Sequence, residues 1–312
     1  MSGFVRRRID VTITLGEGQF GQTGMNTVKL QGRRVFATIS KGGAPSQDIA
    51  NVRIYGVPPA IMNSVTTLGI PGYQFRFNNT MTIEAGDDSN GMSVVYQGQI
   101  ANAWQNLDGS PETFLNISGI GAKQLAMIPV APVSYPVGAS VATIMAGLAT
   151  QNGLAFENSG VRGTLPATYL PGTALDQIAS VAKAAGINYY IDSGAPVPML
   201  AIWPQDGVRG GAIPLVDAAH GLVGYPQYND NGMGFRCLFN ASITLRMGAK
   251  LSFNSQIGGV GVQDGATDRE IQQAGPNGFW YIMGPLIYEL SAEEPGGPWF
   301  CDVLCSRIFG AG

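Results

Sequence analysis

Histidine is nearly missing from this chain: in 312 residues, His220 stands alone. Zinc sites built on paired histidines are therefore excluded. The three cysteines, Cys237, Cys301 and Cys305, are too scattered for the usual structural zinc spacings. A Ser–His–Asp triad would have to recruit His220. That residue sits in DAAHGLVG (217–224), a turn expected just before a strand, and no G-x-S-x-G elbow accompanies it. A P-loop lysine motif is absent. The nearest glycine run, IGGVGV (257–262), lacks both the G-x-G-x-x-G spacing and a following helix. Charge is also scarce, at 12% of residues, and with 45% apolar residues this excludes a disordered chain, which needs the opposite balance. Residues 124–156 carry no charge at all, but Pro129, Pro132 and Pro136 break the first half and leave only 141–153 for a helix. A membrane-spanning helix needs about 20 residues, so buried core is expected there and no membrane insertion. The chain opens without a charged n-region, apolar h-region and cleavage site, which points to folding in a reducing cytosol. Cys301 and Cys305 fall on one face of an expected strand, roughly 13 Å apart, too far for a disulfide without a bulge.

What the chain has in quantity is glycine (44) and proline (19), set among short alternating apolar runs. That combination predicts many short strands joined by turns. Val52 and Ile54 alternate with Arg53 and Tyr55, and Met81, Ile83 and Ala85 alternate with Thr82 and Glu84. GDDSNG (86–91) then turns the chain into Met92–Ile100, and PPAIMNSVTTLG (58–69) predicts a short helix with Gly69 past its end. Residues 114–205 change character. Val141, Ile144, Met145 and Leu148 mark one helix face, and Leu175, Ile178, Ala179 and Ala182 mark another. Thr173 and Asp176 resemble a capping box, and Gly153 and Gly186 close the two helices. Strands are expected at Leu154–Phe156, Ile187–Ile191 and Met199–Trp203. From about residue 207 the β-pattern returns. Phe235, Cys237 and Phe239 share a face, Phe279–Leu290 and Trp299–Arg307 form a hairpin around EEPGG, and a Gly-rich loop fills 255–278.

The expected fold class is mainly β with α+β: two antiparallel β-barrels flanking a small α/β domain. The boundaries fall at 1–113, 114–206 and 207–312. Charge is divided unevenly along the chain. Through Arg53 there are 8 basic and 3 acidic residues, net +5, and the remainder has 10 basic and 18 acidic, net −8. Such polarity suits layered contacts between subunits, or simply two differently charged solvated faces. Arg6–Arg8 lack the interleaved aromatics of a nucleic-acid motif. Asp87–Asp88 miss the alternating ligands of a calcium loop, so they and Glu293–Glu294 read as turn residues. Trp280, Tyr281, Tyr288, Trp299 and Phe300 could stack on sugars, or alternate within a barrel hairpin as core. These residues select no catalytic, cofactor-binding or metal site.

The order of these segments resembles the baseplate-hub family of contractile phage tails, which includes Mu-like hubs and late-control proteins. NVRIYGVPPAIMNSV (51–65) is similar to the family's strand and short helix, and TMTIEAGDDSNGMSVVYQGQIANAW (80–104) to its strand–turn–strand. YLPGTALDQIASVAKAAGINYYID (169–192) looks like its capped helix and strand. HGLVGYPQYNDNGMGFRCLFNASITLRMGAKLSF (220–253) looks like the lead-in to its second barrel, and FWYIMGPLIYEL with PGGPW (279–299) like its closing hairpin. The resemblance implies a non-enzymatic virion protein with tail-tube-like barrels, in which three chains form a ring of six barrels. Such a homotrimer would join the sixfold tail tube to the threefold central spike, in a baseplate assembled in the host cytoplasm. Its implied partners are the tail tube or distal tail protein, the spike, the tape measure protein and baseplate wedge proteins, with DNA crossing the lumen only transiently. It implies no cofactor. Two alternatives stand beside it: another tail-tube adaptor ring, or a cell-wall carbohydrate-binding or carbohydrate-acting tail protein that uses the late aromatics and a carboxylate pair.

Overall fold

The computed structural model describes residues 5–21, 24–43, 46–66, 78–108, 112–211, 213–229, 232–245, 248–251 and 278–306. The first third of the chain forms β1 (Arg7–Thr14), β2 (Thr27–Leu30), β3 (Val35–Lys41), β4 (Ile49–Tyr55), α1 (Pro59–Val65), β5 (Thr80–Asp87), β6 (Gly91–Asn106) and β7 (Phe114–Ile120). The middle forms α2 (Lys123–Met127), β8 (Val133–Tyr135), β9 (Ala139–Ser140), α3 (Val141–Gln151), β10 (Ala155–Asn158), β11 (Thr164–Leu165), β12 (Thr168–Leu170), α4 (Ala174–Ala185), β13 (Ile187–Asp192) and β14 (Met199–Pro204). The last third forms β15 (Leu215–Val216), β16 (Leu222–Asn229), β17 (Gly232–Leu238), β18 (Gly248–Leu251), β19 (Gly278–Ala292) and β20 (Trp299–Ser306).

The protein is mainly β, and its large sheet is antiparallel apart from the short β15–β18 pair. Strands from both ends of the chain share that sheet, in the order β16-β17-β20-β19-β3-β4-β7-β6-β5-β1-β2. Two β-barrels were expected, one from each end of the chain. Residues Leu286–Ala292 of β19 pair with Val35–Lys41 of β3, so one hydrogen-bonded ladder crosses from the last third to the first. Among the described residues the strand path ends at β16 and β2, and no pairing closes it into a barrel. Periodicity shows which face a residue takes but not which strand lies beside it, which is why the junction was invisible in the sequence.

The alternation itself is as expected. In β3, Val35, Ala37, Ile39 and Lys41 are buried, and in β20 Trp299, Cys301, Val303 and Cys305 are. The closing hairpin is present, and its last residue, Arg307, lies outside the described residues, as does the Gly-rich stretch 255–277. Helix α1 ends earlier than expected, leaving through an extended Thr66, while Gly69 lies outside the described residues.

Helices α3 and α4 cover one face of a three-stranded sheet, β10-β14-β13, in which β10 and β14 run parallel. Thr173 and Asp176 form the capping box: the Thr173 hydroxyl accepts from Asp176 N–H at 3.2 Å, and the Asp176 carboxylate accepts from Thr173 N–H at 3.0 Å. Gly186 ends α4 in the left-handed region at φ 61°. The buried stripe of α4 is turned by about one position from that expected. Ala174, Ile178, Val181 and Ala182 are buried, while Leu175 and Ala179 are half-buried. Gln177 takes the added inward place because its amide donates to Leu170 O at 3.0 Å and Ala131 O at 3.2 Å.

Strands β13 and β14 are covered on both faces, so they belong to two cores at once. Leu200 and Ile202 pack beneath the helices, while Tyr190, Ala201 and Trp203 join the core of the large sheet. The same close packing constrains Gly98. A Cβ there would lie 2.7 Å from Ile120 O and closer still to the hydroxyl of buried Tyr96. We expect Gly98→Ala to lower unfolding free energy by about 1–3 kcal/mol, read as a lower urea midpoint at unchanged slope.

Candidate functional site

Two features stand out: a buried cluster of charge where the α/β unit meets the large sheet, and a face of that sheet that no helix or strand covers among the described residues. The first is assembled from five separate stretches of chain. Lys41 closes β3 at an inward position and is 1% exposed. Its ammonium lies 3.0 Å from Asp192 Oδ1, at the end of β13. The other Asp192 oxygen meets Arg209 at 2.6 Å. Arg209 follows β14, and its guanidinium also donates to both Glu157 oxygens, at 3.0 to 3.1 Å, on β10. Beside this chain of pairs, Asp48 precedes β4 and accepts from Tyr190 Oη at 2.8 and 2.9 Å and from the Ser193 hydroxyl.

Burial and charge compete at each carboxylate. Burial would raise the Asp192 carboxyl, but Lys41 and Arg209 outweigh it and hold the group well below the ordinary carboxylate range. For Asp48 burial wins over Lys41 and the Ser193 and Tyr190 hydrogen bonds, and its pKa is raised. For Arg209, burial is outweighed by Asp192 and Glu157, and the guanidinium is held more firmly protonated than usual. Sequence reasoning passed over all of these residues. A signal was present in VFATISK (35–41), where the inward alternation ends on a lysine that must find an anion.

The second feature is the face of β3, β4, β7 and β6 opposite the core. Strand register lines its side chains up in rungs: Thr38, Asn51, Ser118 and Asn102 in one, and Phe36, Arg53, Asn116 and Trp104 in the next. A third rung places Tyr55 beside Phe114, with ring centroids 5.1 Å apart.

The residues picked out from sequence fall as follows. His220 is exposed in a turn before β16, its Nδ1 2.7 Å from Asp217 Oδ1, where it lines an open cleft of about 680 Å³ with Asp87 and Asn240. Asp87 caps the β5–β6 turn by accepting from Ser89 N–H at 2.8 Å and Asn90 N–H at 2.7 Å. Trp280, Tyr288 and Trp299 lie in the core, with Tyr288 Oη donating to Ile243 O at 2.7 Å, so these three rings present no stacking surface. All three cysteines are buried and free, and Cys237 lies directly across the strand pair from Cys301. Among the described residues no three His, Cys, Asp or Glu side chains gather as metal ligands.

The basic first stretch finds its counter-charges within the chain. Arg6 pairs with Glu293, Arg8 reaches Asp88 at 3.6 Å, Lys29 reaches Glu84 at 2.6 Å, and Arg34 meets Glu112 and Glu294. Much of the basic charge of that stretch is thus paired across the fold.

A family profile described as "Baseplate hub gp41" matches residues 8–259. The chain belongs to the baseplate hub gp41 family. The hub's fold is also similar to that of a tail protein from Neisseria meningitidis MC58, at TM-score 0.57 and 9% identity, covering 96% of each chain. The 43 kDa tail protein of prophage MuSo2 from Shewanella oneidensis matches at TM-score 0.55 and 9% identity, over 96% of this chain and 97% of that one. The E. coli c3393 protein is described as a type VI secretion component with structural similarity to T4 tail proteins gp27 and gp5. It matches at TM-score 0.52 and 8% identity, over 95% of this chain and 76% of that one. No curated protein matches by sequence. The hub is a structural component of the phage tail baseplate.

Removing one partner of a buried pair strands the other, at a cost of about 3–5 kcal/mol. We expect Asp192→Asn to destabilise the hub by that order, and Lys41→Met/Asp192→Asn to recover part of it, both measured by urea unfolding. Because the Asp192 pKa is lowered on folding, its contribution is complete above the unfolded value and fades only as pH falls below it. The Asp192→Asn penalty should therefore be equal at neutral and mildly acidic pH and shrink only below about pH 4.

Proposed function

We propose that this hub works as a homotrimer in a contractile tail, joining the sixfold tail tube to the threefold central spike. In this reading residues 1–113 and 207–312 each supply one tube-like position, and residues 114–206 form the α/β unit between them. Three chains then give six positions around a channel for the tape measure protein and, later, DNA. The observation that carries the reading is the β19–β3 ladder, which fixes the two β-rich parts of one chain edge to edge. The same head-to-tail arrangement between chains closes a ring when the rotation allows it. The ends of the strand path among the described residues, β16 and β2, are where such contacts between copies would fall.

The role is structural rather than enzymatic, with no cofactor or metal, and assembly takes place in the host cytoplasm alongside the tube or distal tail protein, the spike and the wedge proteins. Supporting this, among the described residues His220 has only its turn-mate Asp217 as a side-chain partner, and the adjacent carboxylates serve turns and arginines. The carbohydrate alternative loses Trp280, Tyr288 and Trp299 to the core.

Native mass spectrometry on the purified hub tests the assembly. The expected result is a species of three times the 32.8 kDa chain mass, either alone or on addition of tube protein. A strictly monomeric hub under both conditions would overturn it.

A further inference from the structure

The uncovered face of β3, β4, β7 and β6 changes character along the strands. Toward one end it is polar and uncharged, through Thr38, Asn51, Ser118 and Asn102. One rung further it becomes aromatic and cationic: Phe36, Arg53 and Trp104 stand in line across the strands, with Tyr55 and Phe114 beyond them. Trp104 is 48% exposed although it sits within a long strand rather than at a loop tip. Arg53 is exposed, and its guanidinium lies 4.9 Å over the Phe114 ring. The rings also hold one another, with Phe36 6.1 Å from Tyr55 in an edge contact and Arg34 3.8 Å over Tyr55.

Exposed Trp and Arg on a sheet are among the residue types that dominate the energetics of protein interfaces. The electrostatics then narrow the partner. Arg8 pairs with Asp10 and Asp88, Arg34 with Glu112 and Glu294, and Arg236 with Asp302 and Glu289. Among the described residues Arg53 meets no carboxylate, and its guanidinium rests over the Phe114 ring. A nucleic acid is the less suitable occupant, because the Tyr55 and Phe114 faces that bases would stack on are already taken by guanidinium groups.

We propose that the Phe36–Arg53–Trp104 rung is a docking surface for an acidic protein segment, one carboxylate of which pairs with Arg53 while a neighbouring apolar side chain packs on Trp104. The inference stands on this face alone, and does not depend on the number of chains in the hub. A bidentate arginine–carboxylate contact fixes orientation, and burying it beside Trp104 on binding strengthens it over an exposed pair.

The test is fluorescence anisotropy with the full-length hub and a labelled peptide of alternating Glu and Leu. A Lys–Leu peptide and single-stranded oligothymidine serve as competitors for other chemistries. Expected is saturable binding of the Glu–Leu peptide that weakens with added salt. It should fall about tenfold or more in Arg53→Glu and in Trp104→Ala, while Arg53→Lys, which keeps charge but not the fork, loses less. Both positions are on the surface, so thermal melts unchanged from the parent are expected and tie the loss to the contact. Four results would overturn the proposal: no binding of the Glu–Leu peptide, equal binding of the Lys–Leu peptide, tighter binding of oligothymidine, or a Glu–Leu affinity indifferent to Arg53→Glu.

Discussion

Asp192 holds two cations, one from each side of a packing boundary, and the arrangement of the whole chain turns on that contact. Lys41 reaches it from the large sheet and Arg209 from the segment that leaves the α/β unit. Burying any of these groups alone is costly, because a charge left unpaired away from water costs about 3–5 kcal/mol, a large share of one domain's net stability. Together they are tolerated, and they permit one seating of the α/β unit on the sheet. Apolar packing between the same surfaces would be less selective, since it is non-directional. Asp48, Tyr190 and Ser193 add hydrogen bonds with their own directional demands at the same boundary.

The position of the cluster explains why strands β13 and β14 can serve two cores. Their inner residues, Tyr190, Ala201 and Trp203, belong to the core of the large sheet, while Leu200 and Ile202 belong to the core beneath the helices. The α/β unit is therefore not a bead on a linker. It shares a layer with the sheet, and its polar contacts sit where β3 ends and β4 begins, close to the β19–β3 ladder that unites the two ends of the chain. Through such coupling, load on one part is carried by hydrogen bonds and ion pairs into the next.

Charge tells a similar story at the surface. Along the sequence the first stretch is basic and the rest acidic, a pattern that invites an explanation through partners. Folding brings Glu84, Asp88, Glu112, Glu293 and Glu294 back onto that basic stretch, and the imbalance is largely settled within the chain. What remains for recognition is subtler, and on the uncovered face it comes down to Arg53 among aromatic rings.

Local order was legible in the sequence wherever neighbours in the chain decide it. The alternation in VFATISK, the Thr173–Asp176 cap, Gly186 at the end of α4 and the GDDSNG turn each follow from backbone geometry over a few residues, and each is present. The order of such segments was also enough to point to the baseplate-hub family. Contacts between residues distant in the chain were not legible. Nothing local states that β19 lies beside β3, that Lys41 meets Asp192, or that Cys237 faces Cys301. Side-chain periodicity reports burial but carries no label for the partner, so the ladder joining both ends of the chain was not foreseen, and α4 turned by one position to let Gln177 bond inward. The sequence determined the elements and their faces, because those depend on the chain's own geometry. The tertiary structure decided which faces meet, because that depends on charges and hydrogen bonds that only become neighbours once the chain is folded.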